Sequence, residues 1–192
     1  MVCDTARPSD TSTKQIIIIG AGAAGIFAAI QNKRHFPNAA VIVLEKSAKL
    51  LTKVKISGGG RCNVTHACFE PKELVNHYPR GKKELLSCFY SFQPQDTMAW
   101  FKKEGVKLKI EKDNRVFPCS DSSQTIIDCL LNKAKTLNII IKTQTTIESI
   151  AKKEGLFYIT IKNSPQLTCD KLILATGSNP LGYKIAKSFN HT

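Results

Sequence analysis

The stretch that decides the fold is Gln15–Ile30, QIIIIGAGAAGIFAAI. Four consecutive isoleucines, Ile16 to Ile19, predict a strand buried on both faces of a parallel sheet. Gly20, Gly22 and Gly25 follow at G-x-G-x-x-G spacing, and an Ala/Ile-rich helical segment comes next. Each glycine has a physical task in such a turn. Gly20 makes the sharp strand-to-helix turn, Gly22 presents no Cβ to a pyrophosphate, and Gly25 lets the helix approach the strand. The helix start, through Ala23 and Ala24, offers unpaired amides and a positive dipole end to phosphates. Glu45 lies 20 residues beyond Gly25 and ends a second apolar run, Val41–Leu44. A carboxylate there accepts both hydroxyls of an adenosine ribose. The pattern predicts a dinucleotide site; a glycine-rich turn in an ordinary βαβ unit is the plainer alternative.

The chain has 192 residues, 42% hydrophobic and 22% charged, which suits one soluble α/β domain. Its net charge is +13, from 28 Lys+Arg against 15 Asp+Glu. The lysines are scattered through 46–55, 82–83, 102–112 and 133–153. A nucleic-acid reader more often clusters arginine with stacking aromatics. The expectation is therefore a solvated lysine-rich surface with no specific nucleic-acid partner. Seven dispersed cysteines form no C-x-x-C pair and no metal-ligand cluster, which fits reduced thiols in a cytoplasmic protein without a bound metal. The apolar run 16–30 falls short of the roughly 20 residues that span a bilayer. The preceding segment has two aspartates and no compact basic cluster, so neither a membrane segment nor a signal peptide is expected.

Residues 1–13 read as a disordered tail, and residues 14–192 as one nucleotide-binding domain. Helices are predicted around 71–77, 82–92 and 95–104, within a helical excursion at 64–105. Short strands follow at 106–110 and 115–117. Asp121-x-x-Gln124 has the form of a capping box, opening a helix whose core face is Ile127, Leu130, Leu131 and Ala134. Strands are predicted at 138–142, 146–151, 157–162 and 167–170, the middle pair alternating as in an antiparallel meander. Lys171–Ala175, KLILA, reads as another buried strand, and residues 181–189 as a last helix. The predicted class is α/β, mainly parallel, with residues 15–19, 41–44, 138–142 and 171–175 as the parallel strands.

Ser57-Gly-Gly-Gly-Arg-Cys-Asn63 is a second distinctive loop. Its glycines, Gly59 and Gly60 among them, permit positive φ and close backbone approach. Arg61 adds a planar cation, and Asn63 an amide that both donates and accepts. The mixture suits a pyrophosphate or the polar edge of a flavin; a flexible surface loop is the plainer reading. Cys62 and Cys68 invite a redox reading, but they are one residue further apart than in flavin disulfide reductases. On a helix their Cα atoms would stand about 9 Å apart, beyond the roughly 7 Å a disulfide tolerates. Two unpaired thiols are expected. His35, His66 and His77 have no catalytic partner at a recognisable spacing and are expected to be structural, so no catalytic residue is identified.

Taken together, GAGAAG, Glu45-Lys46, Lys55-Ile-Ser-Gly-Gly-Gly-Arg-Cys-Asn63, Asn114-Arg-Val-Phe-Pro118 and Leu174-Ala-Thr-Gly177 resemble the BaiN/YhiN-type flavoproteins. These are NAD(P)/FAD-dependent oxidoreductases of the aminoacetone-oxidase type, and the resemblance runs from about residue 16 to the C-terminus. It implies a Rossmann-like, glutathione-reductase-type FAD-binding domain. FAD would be held by Gly20, Gly22, Ala23, Ala24, Gly25, Glu45 and Lys46. Gly59, Gly60, Arg61 and Asn63 would lie near the flavin or its diphosphate, with Thr176 and Gly177 lining the same crevice. NAD(P)H is the candidate electron donor and a small molecule the expected substrate.

The resemblance also implies a β-rich domain inserted after the Ala-Thr-Gly element, and a return of the chain to complete the FAD domain. This sequence stops near where that insertion should begin, and only Ser178–Leu181 separates Gly177 from Gly182-Tyr183. The expectation is a fragment that needs the other half or a second polypeptide, with poor solubility or weak FAD retention alone. The competing readings are a nicotinamide-only dehydrogenase and a non-catalytic flavin-binding module.

Overall fold

The computed structural model describes residues 13–191. The predicted tail at 1–13 lies outside the described residues apart from Thr13. In chain order the elements are β1 (Gln15–Ile19), α1 (Ala23–His35), β2 (Ala40–Leu44), α2 (Thr52–Ile56), β3 (Thr65–His66), α3 (Pro71–Leu74), α4 (Lys82–Ser91), α5 (Pro94–Lys103), β4 (Leu108–Ile110), β5 (Arg115–Pro118), α6 (Ser123–Thr136), β6 (Ile140–Lys142), β7 (Ile147–Lys153), β8 (Leu156–Ile161), β9 (Leu167–Cys169), β10 (Lys171–Leu174) and α7 (Pro180–Ser188). They fall into two compact units, one from residues 1–48 and 137–192, the other from 49–136. The helical excursion predicted at 64–105 is thus part of a wider unit with its own sheet.

The first unit is built on a parallel sheet of order β10-β1-β2-β6. All three pairings are parallel, with Ile17 opposite Leu172 on one side and Ile42 on the other. The predicted parallel strands are therefore the observed ones. β6 begins two residues later than expected, because Asn138 turns at a φ of 54°. Ile17 and Ile18 are fully buried on opposite faces, as the unbroken apolar run requires. Ile17, Ile19, Ile42 and Leu44 pack against Ile147, Ile159, Ile161 and Cys169 of the meander and Ile185 of α7. The alternate residues face α1, which buries Ile26, Ala29 and Ile30. Each fully buried isoleucine contributes about 1.5–3 kcal/mol relative to exposure.

The meander β7-β8-β9 is antiparallel throughout. Its first turn places Glu154 and Gly155 at φ of 49° and 85°, the two-residue hairpin that matches strand twist. Asp170, between β9 and β10, pins the start of the central strand: its Oδ2 accepts from the Gln15 amide at 2.7 Å.

The second unit contains an antiparallel sheet of order β3-β5-β4, with α2 and α6 packed together. Val116 and Phe117 are fully buried, and Trp100 and Phe101 meet edge to face, 4.9 Å apart. The capping box expected at Asp121 is not formed. Asp121 sits at a φ of 53° and its carboxylate pairs with Lys109 and Arg61. Ser122 replaces it as cap, its Oγ accepting from the Gln124 amide at 3.3 Å, while the Gln124 side chain donates to Asp128. On α6 the buried face includes Ile126, and Leu131 is only half-buried.

Candidate nucleotide site

The turn after β1 has three glycines in three different environments. Gly20 sits at a φ of 105°, and a Cβ there would overlap the Ala175 carbonyl. Gly25 is buried under the turn: its Cβ would lie 1.8 Å from the Gly20 carbonyl oxygen. Gly22 has ordinary backbone angles and open space within 4 Å of where its Cβ would be. The first and third glycines are thus demanded by the fold itself. The second leaves the fold indifferent and the space above the helix start clear.

Helix α1 starts with no side-chain cap and no acidic residue in its first turn. Gly22, Ala23 and Ala24 are exposed there. The first intrahelical bond runs from the Ile26 amide to Gly22, so the amides of Ala23, Ala24 and Gly25 have no helical acceptor. Lys33, Arg34 and His35 sit in the last turn, complementing the dipole at the far end.

Glu45 follows directly on β2 and reaches back to this turn. Its Oε2 accepts from the Ala21 amide and its Oε1 from the Ser47 amide, both at 2.8 Å. Each oxygen keeps a second lone-pair site, so the carboxylate is held in place while still able to accept two hydroxyl donors. The backbone around it is tied to the loop after β6: the Thr145 amide donates to Glu45 and the Gln144 amide to Ser47. These ties shape a pocket of about 230 Å³ lined by Gly20, Glu45, Lys46, Thr145, Thr146 and Thr176, with Ile19, Leu44, Ile147, Asn179 and Leu181 completing it. The pocket lies at the C-terminal ends of β1 and β2, where open α/β sheets bind ligands.

Thr176 therefore shares the pocket with Gly20, Glu45 and Lys46. Gly177, next to it, turns at a φ of 60°. Sequence reasoning missed Thr145, Thr146 and Asn179. It also missed Gly182, whose Cβ would overlap the Thr176 hydroxyl, so that α7 can start close against Thr176. The Asn179 side chain caps that helix by accepting from the Leu181 amide at 2.9 Å.

Gly59, Gly60, Arg61 and Asn63 belong to the second unit. Gly59 and Gly60 adopt φ of 67° and 88° and face open space. The Arg61 and Cys62 amides turn back onto Gly58 and Ser57. The Arg61 guanidinium lies 3.9 Å above the Phe117 ring and bonds Glu111 at 2.6 Å. The Glu111 hydrogen bond raises its pKa further, which keeps the cation permanent. The segment from Cys62 to Cys68 is extended through β3 rather than helical, and both thiols are unpaired. Burial raises the Cys62 thiol, opposing thiolate formation. The His66 and His77 rings stand 5.2 Å apart. Among the described residues, no helix is long and apolar enough to cross a membrane.

Residues 14–192 match the family described as HI0933-like protein Rossmann domain. The chain is 33% identical over 184 residues to a ribosomal RNA dihydrouridine synthase of Escherichia coli, covering 90% of this chain and 44% of that protein. It is 27% identical over 186 residues to a 3-dehydro-bile acid delta(4,6)-reductase of Clostridium scindens, covering 93% and 44% respectively. Among solved structures, a 3-ketosteroid-delta4-(5alpha)-dehydrogenase from Rhodococcus jostii superposes with a TM-score of 0.62 at 15% identity, over 94% of this chain and 50% of that one. The chain thus spans less than half the length of the curated relatives it matches. It is a member of the HI0933-like Rossmann-domain family.

Proposed function

We propose that this chain holds FAD for an oxidoreductase that transfers hydride through the flavin, with NAD(P)H as electron donor. One observation carries the reading: Glu45 is fixed between the Ala21 and Ser47 amides, at the mouth of a pocket beside an uncapped helix start. The residues fit the group. Gly22 leaves open space for a pyrophosphate, and the Ala23, Ala24 and Gly25 amides face it without intrahelical acceptors. Glu45 would accept the adenosine ribose hydroxyls, and Lys46, Thr145 and Thr176 would wall the adenosine end. Bound FAD would supply the hydride chemistry, and the protein binding and orientation. Within the second unit, Gly59, Gly60, Arg61 and Asn63 are proposed as ligand-contacting residues, supported by the open space at both glycines.

The test is an absorbance scan of the purified protein. Visible flavin bands that bleach with NADPH under anaerobic conditions support the reading. A colourless protein that gains thermal stability only with NADH refutes it in favour of a nicotinamide-only dehydrogenase.

For the substrate, we propose a base in RNA. The support is the relative at 33% identity named for ribosomal RNA dihydrouridine. This departs from the sequence-based expectation of no specific nucleic-acid partner, and the net charge of +13 is compatible with it. The bile-acid reductase at 27% identity supports the competing small-molecule reading.

A further inference from the structure

The second unit carries a surface that the nucleotide fold leaves unused. Helix α4 has ten residues and none of them is fully buried: Leu85, Leu86 and Phe89 are half-buried, and Tyr90, of a kind usually found inside, is exposed. Tyr78, four residues ahead of the helix, sets its ring 5.3 Å from Phe89 at a tilt of 45°. Tyr90 is 60% exposed. Arg80, Lys82 and Lys83 cluster at the N-terminal end, with Glu84 beside them. Helical spacing puts Lys82 in line with Phe89 and Lys83 in line with Tyr90, each pair roughly 10 Å apart along the axis. Lys82 donates to the Asn76 side chain at 3.5 Å, at the limit of hydrogen-bond length, so an anionic acceptor would compete well for it.

The combination selects the partner. An apolar helix face alone suits protein, and a cationic face alone suits solvent. Exposed rings beside cations suit an unpaired RNA strand, whose bases stack on aromatics while its phosphates meet lysine and arginine. The first helical turn has no side-chain cap, and Glu84 within it offsets the positive dipole end, so the phosphates are left to Arg80, Lys82 and Lys83.

We infer that α4, with the Tyr78–Gly81 turn before it, is a docking surface for single-stranded RNA. Tyr78 and Tyr90 stack bases, with the half-buried Phe89 ring backing Tyr78, and Arg80, Lys82 and Lys83 take phosphates. The inference rests on the RNA-substrate reading above and adds where that RNA is held.

The experiment is a fluorescence-anisotropy titration of the full chain with a labelled single-stranded RNA of roughly 12 nucleotides, over a salt series. Tyr90→Ala and the double variant Lys82→Glu/Lys83→Glu are compared with wild type. Lys152→Glu/Lys153→Glu, on exposed β7, is the charge-matched control. Flavin content is recorded for each protein. Tyr90→Ala is expected to weaken binding about tenfold, in the range of one lost stacking contact. The α4 double variant is expected to weaken it more and to flatten the salt dependence by about two phosphate contacts. The β7 control should change affinity less than twofold. Equal losses from the α4 and β7 variants would overturn the α4 surface while leaving the RNA reading standing. Absence of RNA binding by the wild type, with flavin retained, would overturn both and leave the FAD reading intact. Concentration-dependent self-association abolished by Tyr90→Ala, with RNA affinity unchanged, would reassign the face to a second copy of the chain.

Discussion

Gly25→Ala and Gly22→Val separate a glycine the fold requires from one reserved for the ligand. At Gly25 the added Cβ would sit 1.8 Å from the Gly20 carbonyl oxygen, with the Ala175 Cβ 3.4 Å away. A carbon–oxygen contact needs about 3.3 Å, so α1 must retreat from the turn by roughly 1.5 Å. The obstructing atom is backbone and cannot rotate away. Overpacking of this kind costs up to about 3 kcal/mol, and the gain in helix propensity returns at most about 1 kcal/mol. A net loss near 2 kcal/mol lowers the melting temperature by about 4–8 °C for a chain of this size. Gly22→Val meets no such obstacle, because its φ of −78° suits any residue and its Cβ points into open space. Its poorer capping is offset by reduced freedom of the unfolded chain, and the melting temperature should move by less than about 2 °C. FAD affinity should nevertheless fall at least about tenfold, or 1.4 kcal/mol. Circular-dichroism melts and flavin-fluorescence titrations read the two effects separately. An unchanged melting temperature in Gly25→Ala, or undiminished FAD affinity in Gly22→Val, would refute the assignment.

Glu45→Gln leaves one carbonyl oxygen as acceptor where the Ala21 and Ser47 amides need two, and should cost about 1–3 kcal/mol of stability by urea denaturation, with a parallel loss of FAD affinity. Burial pushes the Cys169 thiol from 9.0 up to about 11. Its folded value exceeds the unfolded one, so its contribution is full below about pH 9 and is lost as pH rises towards 11. The denaturation midpoint should therefore fall over that window, and fall less in Cys169→Ala. A thiol-reactive dye at pH 8 should label the exposed Cys88 and Cys119 quickly, and Cys62 and Cys169 only as fast as the fold opens. The Lys109 hydrogen bond, with Arg61 behind it, holds the Asp121 carboxyl below its ordinary value. That contribution is present above the usual carboxylate range and lost as pH falls through the depressed value. Lys109→Met should accordingly shift acid unfolding to higher pH, as read from the fluorescence of Trp100, the chain's single tryptophan.

The parallel sheet was legible because its strands are continuous apolar runs and its crossover helix is marked by glycines at fixed spacing. Gly20 and Gly25 were legible for the same reason, since each meets backbone that only glycine tolerates. The Asp121 cap was misread because its side chain is claimed by Lys109, twelve residues away, and Arg61, sixty residues away. No local pattern records that competition. Thr145 and Thr146 were missed because they reach the pocket through backbone bonds from the loop after β6 to residues 45–47. Such bonds use amides that every residue has. Gly182 carried the one usable signal, a glycine two residues into a helix opened by Asn179-Pro180, where close packing against a neighbour is its common cause. β4 and β5 were legible as short strands, but the second unit's sheet escaped notice because β3 is only two residues long, too short to show alternation, and pairs with β5 about fifty residues later.

The central claim is that the Gly20–Gly25 turn and Glu45 hold the adenosine-diphosphate half of FAD. It is tested most directly by titrating the purified chain with FAD, following flavin fluorescence, with ADP as competitor. Saturable binding near one FAD per chain is expected, displaced by ADP and weakened at least about tenfold in Glu45→Gln. FAD binding that ADP does not displace, or that Glu45→Gln leaves unchanged, would contradict it.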